Sequence, residues 1–206
     1  MISKPSNWDD VISFTEKPRL QPGGYVCRIK RAYIRNNSYG DQLIVEFDID
    51  EGEYKGYFEE DYKNNTNPNR YWRGVYKPFL PREDGSEKDS WTKANFKAFI
   101  TSVEHSNVGY MWDWDENSLA NKRVGMIFRS EEWSFSGKHG WTARAYRACS
   151  VDTIRTDSFR VPEPKALTGK KNNNGNNEEY SPYVSGFVSA ADFHEANDVD
   201  DDDLPF

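Results

Sequence analysis

The spacing of apolar residues changes period several times along the 206-residue chain. Residues 20–35, LQPGGYVCRIKRAYIR, begin with a Pro-Gly-Gly turn and run into a long strand with Tyr25, Cys27 and Ile29 on one face. Ala32 and Ile34 continue the apolar series with the opposite parity. A parity switch inside one strand needs an extra residue, so a bulge near Lys30 or Arg31 is predicted to bend it. After the turn NNSYGD, residues 41–50 alternate Leu43, Val45, Phe47 and Ile49, the pattern of a half-buried strand. EGEYKGYFEEDY (51–62) reads as a hairpin return and a third strand, and residues 63–88 as a long polar connection interrupted by RYWRGVYKPFL.

The period then lengthens. Within DSWTKANFKAFITSVEHSN (89–107), Phe96, Phe99, Ile100 and Val103 fall at i, i+3, i+4 and i+7, predicting an amphipathic helix capped by Asp89 or Ser90. Beyond the loop MWDWDENS, two strands follow. Residues 121–133 place Val124, Met126 and Phe128 on one face, and the turn SFSGKH joins them to residues 140–151. A mainly β chain with one helix between strands three and four, and a bent first strand, has the element order of the five-stranded OB-fold barrel. An unclosed α+β sheet has the same order and is the alternative.

From Val161 onward the periodicity stops. KKNNNGNNEE (170–179) is low-complexity, and residues 180–206 hold only a weak helical pattern at SAADFHEAN. The expected organisation is a folded domain over 1–161, a flexible linker over 162–197 and an acidic tip over 198–206. Segments this polar bury too little apolar surface to offset the entropy of ordering.

Charge sharpens the division. Residues 1–171 carry all 27 Lys and Arg against 25 acids, whereas residues 172–206 carry nine acids and no Lys or Arg. The net charge of -7 therefore resides in the tail, and the body is weakly basic. Aromatic residues make up 15% of the chain, more than a small core requires, so either rings work at the surface or Tyr and Trp serve as half-buried strand residues. Cys27 and Cys149 stand far apart and His105, His139 and His194 form no cluster, so no disulfide, metal site or cofactor is expected. The start MISKPSNWDD lacks an apolar h-region, and no run of about 18 apolar residues occurs; the chain is expected to be cytoplasmic, without membrane contact.

RYWRGVYK (70–77) interleaves Arg70, Tyr71, Trp72, Arg73, Tyr76 and Lys77. Single-stranded nucleic acid needs this mixture, because cations follow phosphates while rings stack on bases at roughly 1–3 kcal/mol each. A purely structural use is also open, with Trp72 and Tyr76 pinning a long loop. Arg28, Lys30, Arg31 and Arg35 come from the first strand, and Tyr57 and Lys63 from the segment read as the third. Arg129, Trp133, Phe135, Lys138, Trp141, Arg144 and Tyr146 come from the last hairpin, so one groove could be lined from both sides. The acids of WDWDE (112–116) and the pair Glu131–Glu132 suggest a metal-dependent nuclease as a second class. No Lys or His at a recognisable spacing, Gly-rich phosphate loop or G-x-S-x-G accompanies them, so binding without catalysis is expected. A carbohydrate-binding module also displays Trp and Tyr, but a neutral sugar has no use for the interleaved cations.

The last residues, DVDDDDLPF, place an apolar tripeptide behind a run of acids. Asp201, Asp202, Asp203, Leu204, Pro205 and Phe206, which with Asp200 form the expected docking tip, resemble the tip of bacterial single-stranded DNA-binding proteins, which typically ends Asp-Asp-Asp-Ile-Pro-Phe, with Leu in place of Ile. That resemblance implies docking of replication, repair and recombination proteins of the polymerase, helicase, primase, nuclease or recombinase class, with Phe206 as anchor. The bacterial proteins form tetramers through the OB domain, so the resemblance leaves both a homo-oligomer and a monomer open. PGGYVCRIKRA, GEYKGYF, KRVGMIFRSEEW and SVDTIRTDSFRVPEPK resemble a family of phage-encoded OB-fold single-strand binders found beside recombination and replication genes. The resemblance implies a single-stranded DNA-binding protein in a bacterial host cytoplasm. A recombination accessory or annealing protein is the related alternative, and stacking leaves single-stranded RNA as a possible ligand.

Overall fold

The structure is a computed structural model and describes residues 3–6, 8–10, 18–38, 40–135 and 137–167. The acidic tip, the pattern SAADFHEAN and the linker from residue 168 lie outside the described residues.

Strand β1 (Gly23–Arg35) organises the sheet. Its first half pairs with β4 (Arg123–Phe135), from Gly23 opposite Phe128 to Arg28 opposite Arg123. From Cys27 to Arg35 it pairs with β2 (Gln42–Ile49). The register shifts between Ile29 and Arg31, where the parity switch predicts a bulge, so Cys27, Ile29 and Ala32 all reach the core. Ile34 keeps the expected parity but is exposed near the strand end. Strand β5 (Lys138–Cys149) follows β4 through a tight turn. With β3 (Val75–Tyr76), the result is one antiparallel five-stranded sheet in the order β3-β2-β1-β4-β5.

Both the segment and the position expected for the third strand are corrected. The segment read as a third strand is a turn followed by helix α1 (Tyr57–Asn64). The Asp48 carboxylate accepts from the backbone N–H of Phe58 and of Glu59, each at 3.0 Å, and so supplies partners that the first turn of a helix lacks. Glu59 and Glu60 favour the positive end of the helix dipole, and Phe58 buries the inner face. The real third strand lies in the connection read as polar. Residues 74–80 run along β2 through Phe47 N to Gly74 O (2.8 Å), Leu43 N to Pro78 O (3.0 Å) and Leu80 N to Asp41 O (2.9 Å). β2, flanked on both edges, is buried throughout its length rather than on one face, with Leu43, Val45, Phe47 and Ile49 in the main core and Ile44 on the opposite side.

Helix α2 (Lys88–Ser106) lies between β3 and β4 in the chain and buries Phe96, Phe99, Ile100 and Val103, as the spacing predicts. Neither Asp89 nor Ser90 occupies the cap position, which falls on Glu87. The Asp89 carboxylate instead accepts from Asp84 N and Gly85 N, fastening the preceding loop. The single helix expected is joined by α1 and by a short α3 (Val151–Arg155), whose Ser150 cap accepts from Thr153 N at 3.1 Å. α3 covers the side of β1 and β4 away from the core. A Cβ on Gly24 would meet Phe159 at 2.4 Å, and one on Gly125 would meet Ile154 and Ser150 O at 2.7 Å, so both glycines are required for this approach.

β3 and β5 are the outer strands. The Tyr76 hydroxyl lies near Tyr146, Arg147 and Ala148 of β5, with no ladder joining the two strands among the described residues. Past Val161 the chain is still docked. Lys165 N donates to Ser130 O and Lys165 O accepts from Glu132 N, both at 2.9 Å, so Lys165 runs parallel to β4 beyond the point where β1 departs. Among the described residues, no helix is long and apolar enough to cross a membrane.

Candidate nucleic-acid interface

The basic and aromatic residues divide into two groups. The first gathers around α1. Trp72 Nε1 donates to Phe47 O at 2.9 Å and its ring packs on the core, which seats residues 70–73 beside the helix. Gly74 permits this, because a Cβ there would lie 2.3 Å from Phe47 O. From the seated loop the Arg70 guanidinium reaches over the Tyr62 ring, 4.9 Å from its centroid, and donates to Asn65 O at 3.2 Å. Tyr62 also meets Trp72 at 5.9 Å between centroids. Arg73 lies 5.9 Å from the Tyr71 centroid and 3.6 Å from Asp61. Arg31 on β1 sits 5.2 Å over Tyr33, and the neighbouring Lys30 reaches Glu59 of α1 at 3.4 Å. Arg31, Tyr33, Tyr62, Arg70, Tyr71, Trp72 and Arg73 thus form a surface ridge of cations and rings drawn from three segments.

Several of these cations have acidic partners. Arg31 grips Glu46 with Nε and Nη2 at 2.6 and 2.8 Å. Glu59 takes Lys63 at 2.7 Å and Lys30 at 3.4 Å, and these two hydrogen bonds hold its pKa below the ordinary range. The Glu59 pairs are exposed and contribute little to stability, so a phosphate can replace that carboxylate at low cost, whereas Glu46 is itself buried and Arg31 compensates its charge. Arg70 has no carboxylate partner among the described residues. Arg28 differs. It holds the half-buried Asp50 at 2.8 and 3.2 Å, Arg123 holds the same carboxylate at 2.9 Å, and Arg155 ties neighbouring Glu51 at 2.5 Å. Burial opposes ionisation of Asp50, but the two guanidinium groups outweigh it and keep the carboxyl below its ordinary pKa. Arg28 therefore belongs to a structural network.

The second group lies on the β4–β5 hairpin, where cross-strand pairing separates its rings. Trp133 opposes Gly140, and Trp141 opposes Glu132 in the neighbouring register, so the two indoles occupy opposite faces. Trp133 packs over Gly140, while Trp141 is 47% exposed on the face that carries Ala143 and Ala145. They cannot line one groove from a common face. Arg129 is only 5% exposed, bonds Glu131 at 2.5 Å and lies 4.4 Å over Tyr146. Glu131 also faces Arg144 at 3.9 Å. Tyr146 is the extra residue where β5 shifts register. Phe135 and Lys138 flank the turn, with Lys138 exposed.

Other expected positions take structural places. Tyr57 packs against the core and its hydroxyl accepts from Leu20 N at 3.4 Å. Tyr76 contacts Phe99 at 5.7 Å, and burial pushes its pKa up to about 12. Lys77 follows β3 half-exposed, and Arg35 ends β1 opposite Gln42. Tyr33 and Tyr62 were not singled out by sequence; reading 57–64 as a helix would have turned Tyr62 toward Arg70. The acids proposed for metal chemistry have partners of their own. Asp113 and Asp115 accept hydrogen bonds from Ser118 and Asn117, and Glu132 accepts from Leu167 N. Among the described residues, no three His, Cys, Asp or Glu side chains converge as a metal site would require. No protein-family model matches the chain, and no curated protein matches it.

Proposed function

We propose that the chain binds single-stranded DNA without sequence preference and acts in replication or recombination. The carrying observation is the α1 ridge, where Arg70 lies on Tyr62 with no carboxylate partner among the described residues and Arg31 and Arg73 stand beside further rings. Such a surface gives phosphates mobile cations and bases flat partners in alternation. The hairpin serves as the second wall, through Lys138, Phe135 and one of its two tryptophan faces.

In this reading the approach of β3 to β5 completes an OB-fold barrel, and the α1 ridge occupies the connection before its third strand. The resemblance of the tip extends the proposal to a phage protein in a bacterial cytoplasm that recruits replication and recombination enzymes through Leu204, Pro205 and Phe206. Removing residues 198–206 should raise DNA affinity at low salt if the acids compete for the ridge.

Titration of the full chain with oligo-dT and with duplex DNA, followed by tryptophan fluorescence, tests the function. Salt-sensitive quenching by oligo-dT well below the concentration needed for duplex is expected. Equal affinity for both would overturn the proposal. Intact labelled strands after incubation with Mg²⁺ or Mn²⁺ separate a binder from a nuclease.

A further inference from the structure

The connection between α2 and β4 displays Val108, Met111 and Trp114 at the surface within seven residues. Met111 is 81% and Trp114 75% exposed, an unusual state for such side chains grouped in one loop. The loop is held in shape. Trp112 packs edge-on to Phe96 and its backbone N–H donates to Glu104 Oε1 at 2.9 Å. Asn107 Nδ2 bridges Val103 O at 2.7 Å and Arg123 O at 2.8 Å, and Tyr110 Oη bonds Ser118 Oγ at 2.8 Å. Trp114 stacks against Phe96 at an interplanar angle of 19° with its far face open. An exposed ring on a fixed backbone loses little entropy on contact, the property of an interface anchor.

Charge decides what can cover it. Asp113 and Asp115 are exposed on either side of Trp114, and no cation pairs with them among the described residues. Lys122 lies instead over the Tyr110 ring at 4.5 Å. Nucleic acid is repelled by these carboxylates. The tail of this chain, with its nine acids, is repelled as well. A second copy docked loop to loop would set four carboxylates against one another. Like charges brought together in this way cost several kcal/mol.

We propose that Val108, Met111 and Trp114 form a docking site for a partner-protein segment in which Lys or Arg flanks a large apolar side chain. The apolar residue would cover Trp114 while the cations meet Asp113 and Asp115. The site belongs to the α2–β4 connection, whereas α1, residues 70–73 and the hairpin carry the proposed DNA surface. The two functions are therefore separable by mutation.

The test selects from a random peptide display library on the immobilised full chain, with W114A as counter-target. Peptides with Lys or Arg beside Leu, Phe or Trp should be enriched. Their fluorescein-labelled forms, followed by anisotropy, should bind about tenfold or more weakly to W114A and to M111E. D113N with D115N should weaken binding a few-fold and remove most of its salt dependence. Oligo-dT affinity should be unchanged in all these variants, and M111E serves where W114A fails to fold. Enriched peptides that lack cations, or that bind W114A and M111E as tightly as the parent, would overturn the proposal. So would failure to enrich any peptide, or a concentration-dependent dimer abolished by W114A, which would give the patch to a second copy.

Discussion

Around α1, arginines lie over tyrosine rings at the surface; Arg70 has no carboxylate partner among the described residues, and Arg73 meets the half-buried Asp61 at 3.6 Å. On the β4–β5 hairpin the same residue types are arranged inwardly. Arg129 is buried between Glu131 and the Tyr146 ring, and Glu131 is shared with Arg144. Two segments equally rich in cations and rings therefore offer a nucleic acid very different surfaces. What separates them is the desolvation of the charge. An exposed pair exchanges partners for about 0–1 kcal/mol, whereas separating a buried one leaves an uncompensated charge and costs several kcal/mol.

Substitutions can break this contrast in order of expected size. Gly74→Val forces a Cβ against Phe47 O and unseats Trp72, so stability should fall by about 3 kcal/mol and DNA affinity should fall with it. Chemical denaturation and titration of the same sample check both. Combining Tyr62→Ala with Arg70→Ala removes one stacking face and its cation. Oligo-dT affinity should drop by about 2 kcal/mol, roughly thirtyfold, with the melting temperature nearly unchanged. Arg129→Ala should do the reverse. It should cost about 2 kcal/mol of stability, near 6 °C in Tm, and leave the salt slope of DNA binding as it was. A loss of affinity without loss of stability in Arg129→Ala would erase the distinction between the two regions.

Smaller effects sharpen it. Arg31→Ala leaves the buried Glu46 carboxylate without its bidentate partner, so stability should fall by about 1–2 kcal/mol while the salt slope drops by about one. Asp50 supplies a pH signature for the structural network around Arg28. Its folded pKa lies below the ordinary value, so its contribution is complete above the unfolded pKa of about 3.9 and is lost as pH falls through the folded value. Asp50→Asn should flatten the acid limb of stability measured by denaturation as pH falls below about 4.

Much of the frame was legible because it rests on parity and period. The β1 bulge followed from the shift between Ile29 and Ala32, and the buried face of α2 from Phe96, Phe99, Ile100 and Val103. The third strand escaped because β3 has only two residues, too short to show alternation, and is held by backbone bonds to β2. Residues 57–64 were misread because their helix is started by Asp48, a carboxylate from another strand that no local pattern reveals. At the proposed interface, RYWRGVYK located the ridge, but composition could not sort its rings. Tyr76 and Trp72 anchor the loop to the core, and Tyr62, from outside the motif, completes the surface. The hairpin faces depended on a register that puts Trp133 over Gly140 and so turns Trp141 the other way.

The most direct measurement is ultraviolet crosslinking of a 5-bromodeoxyuridine oligonucleotide to the full chain, with the attached peptides mapped by mass spectrometry. Crosslinks should concentrate on Tyr62 and Tyr71, with fewer on Phe135 or the hairpin tryptophans. They should disappear when unlabelled oligo-dT competes. Crosslinks confined to other surfaces, or no crosslinks under conditions where the oligonucleotide is bound, would contradict the assignment of the α1 ridge as the DNA-binding surface.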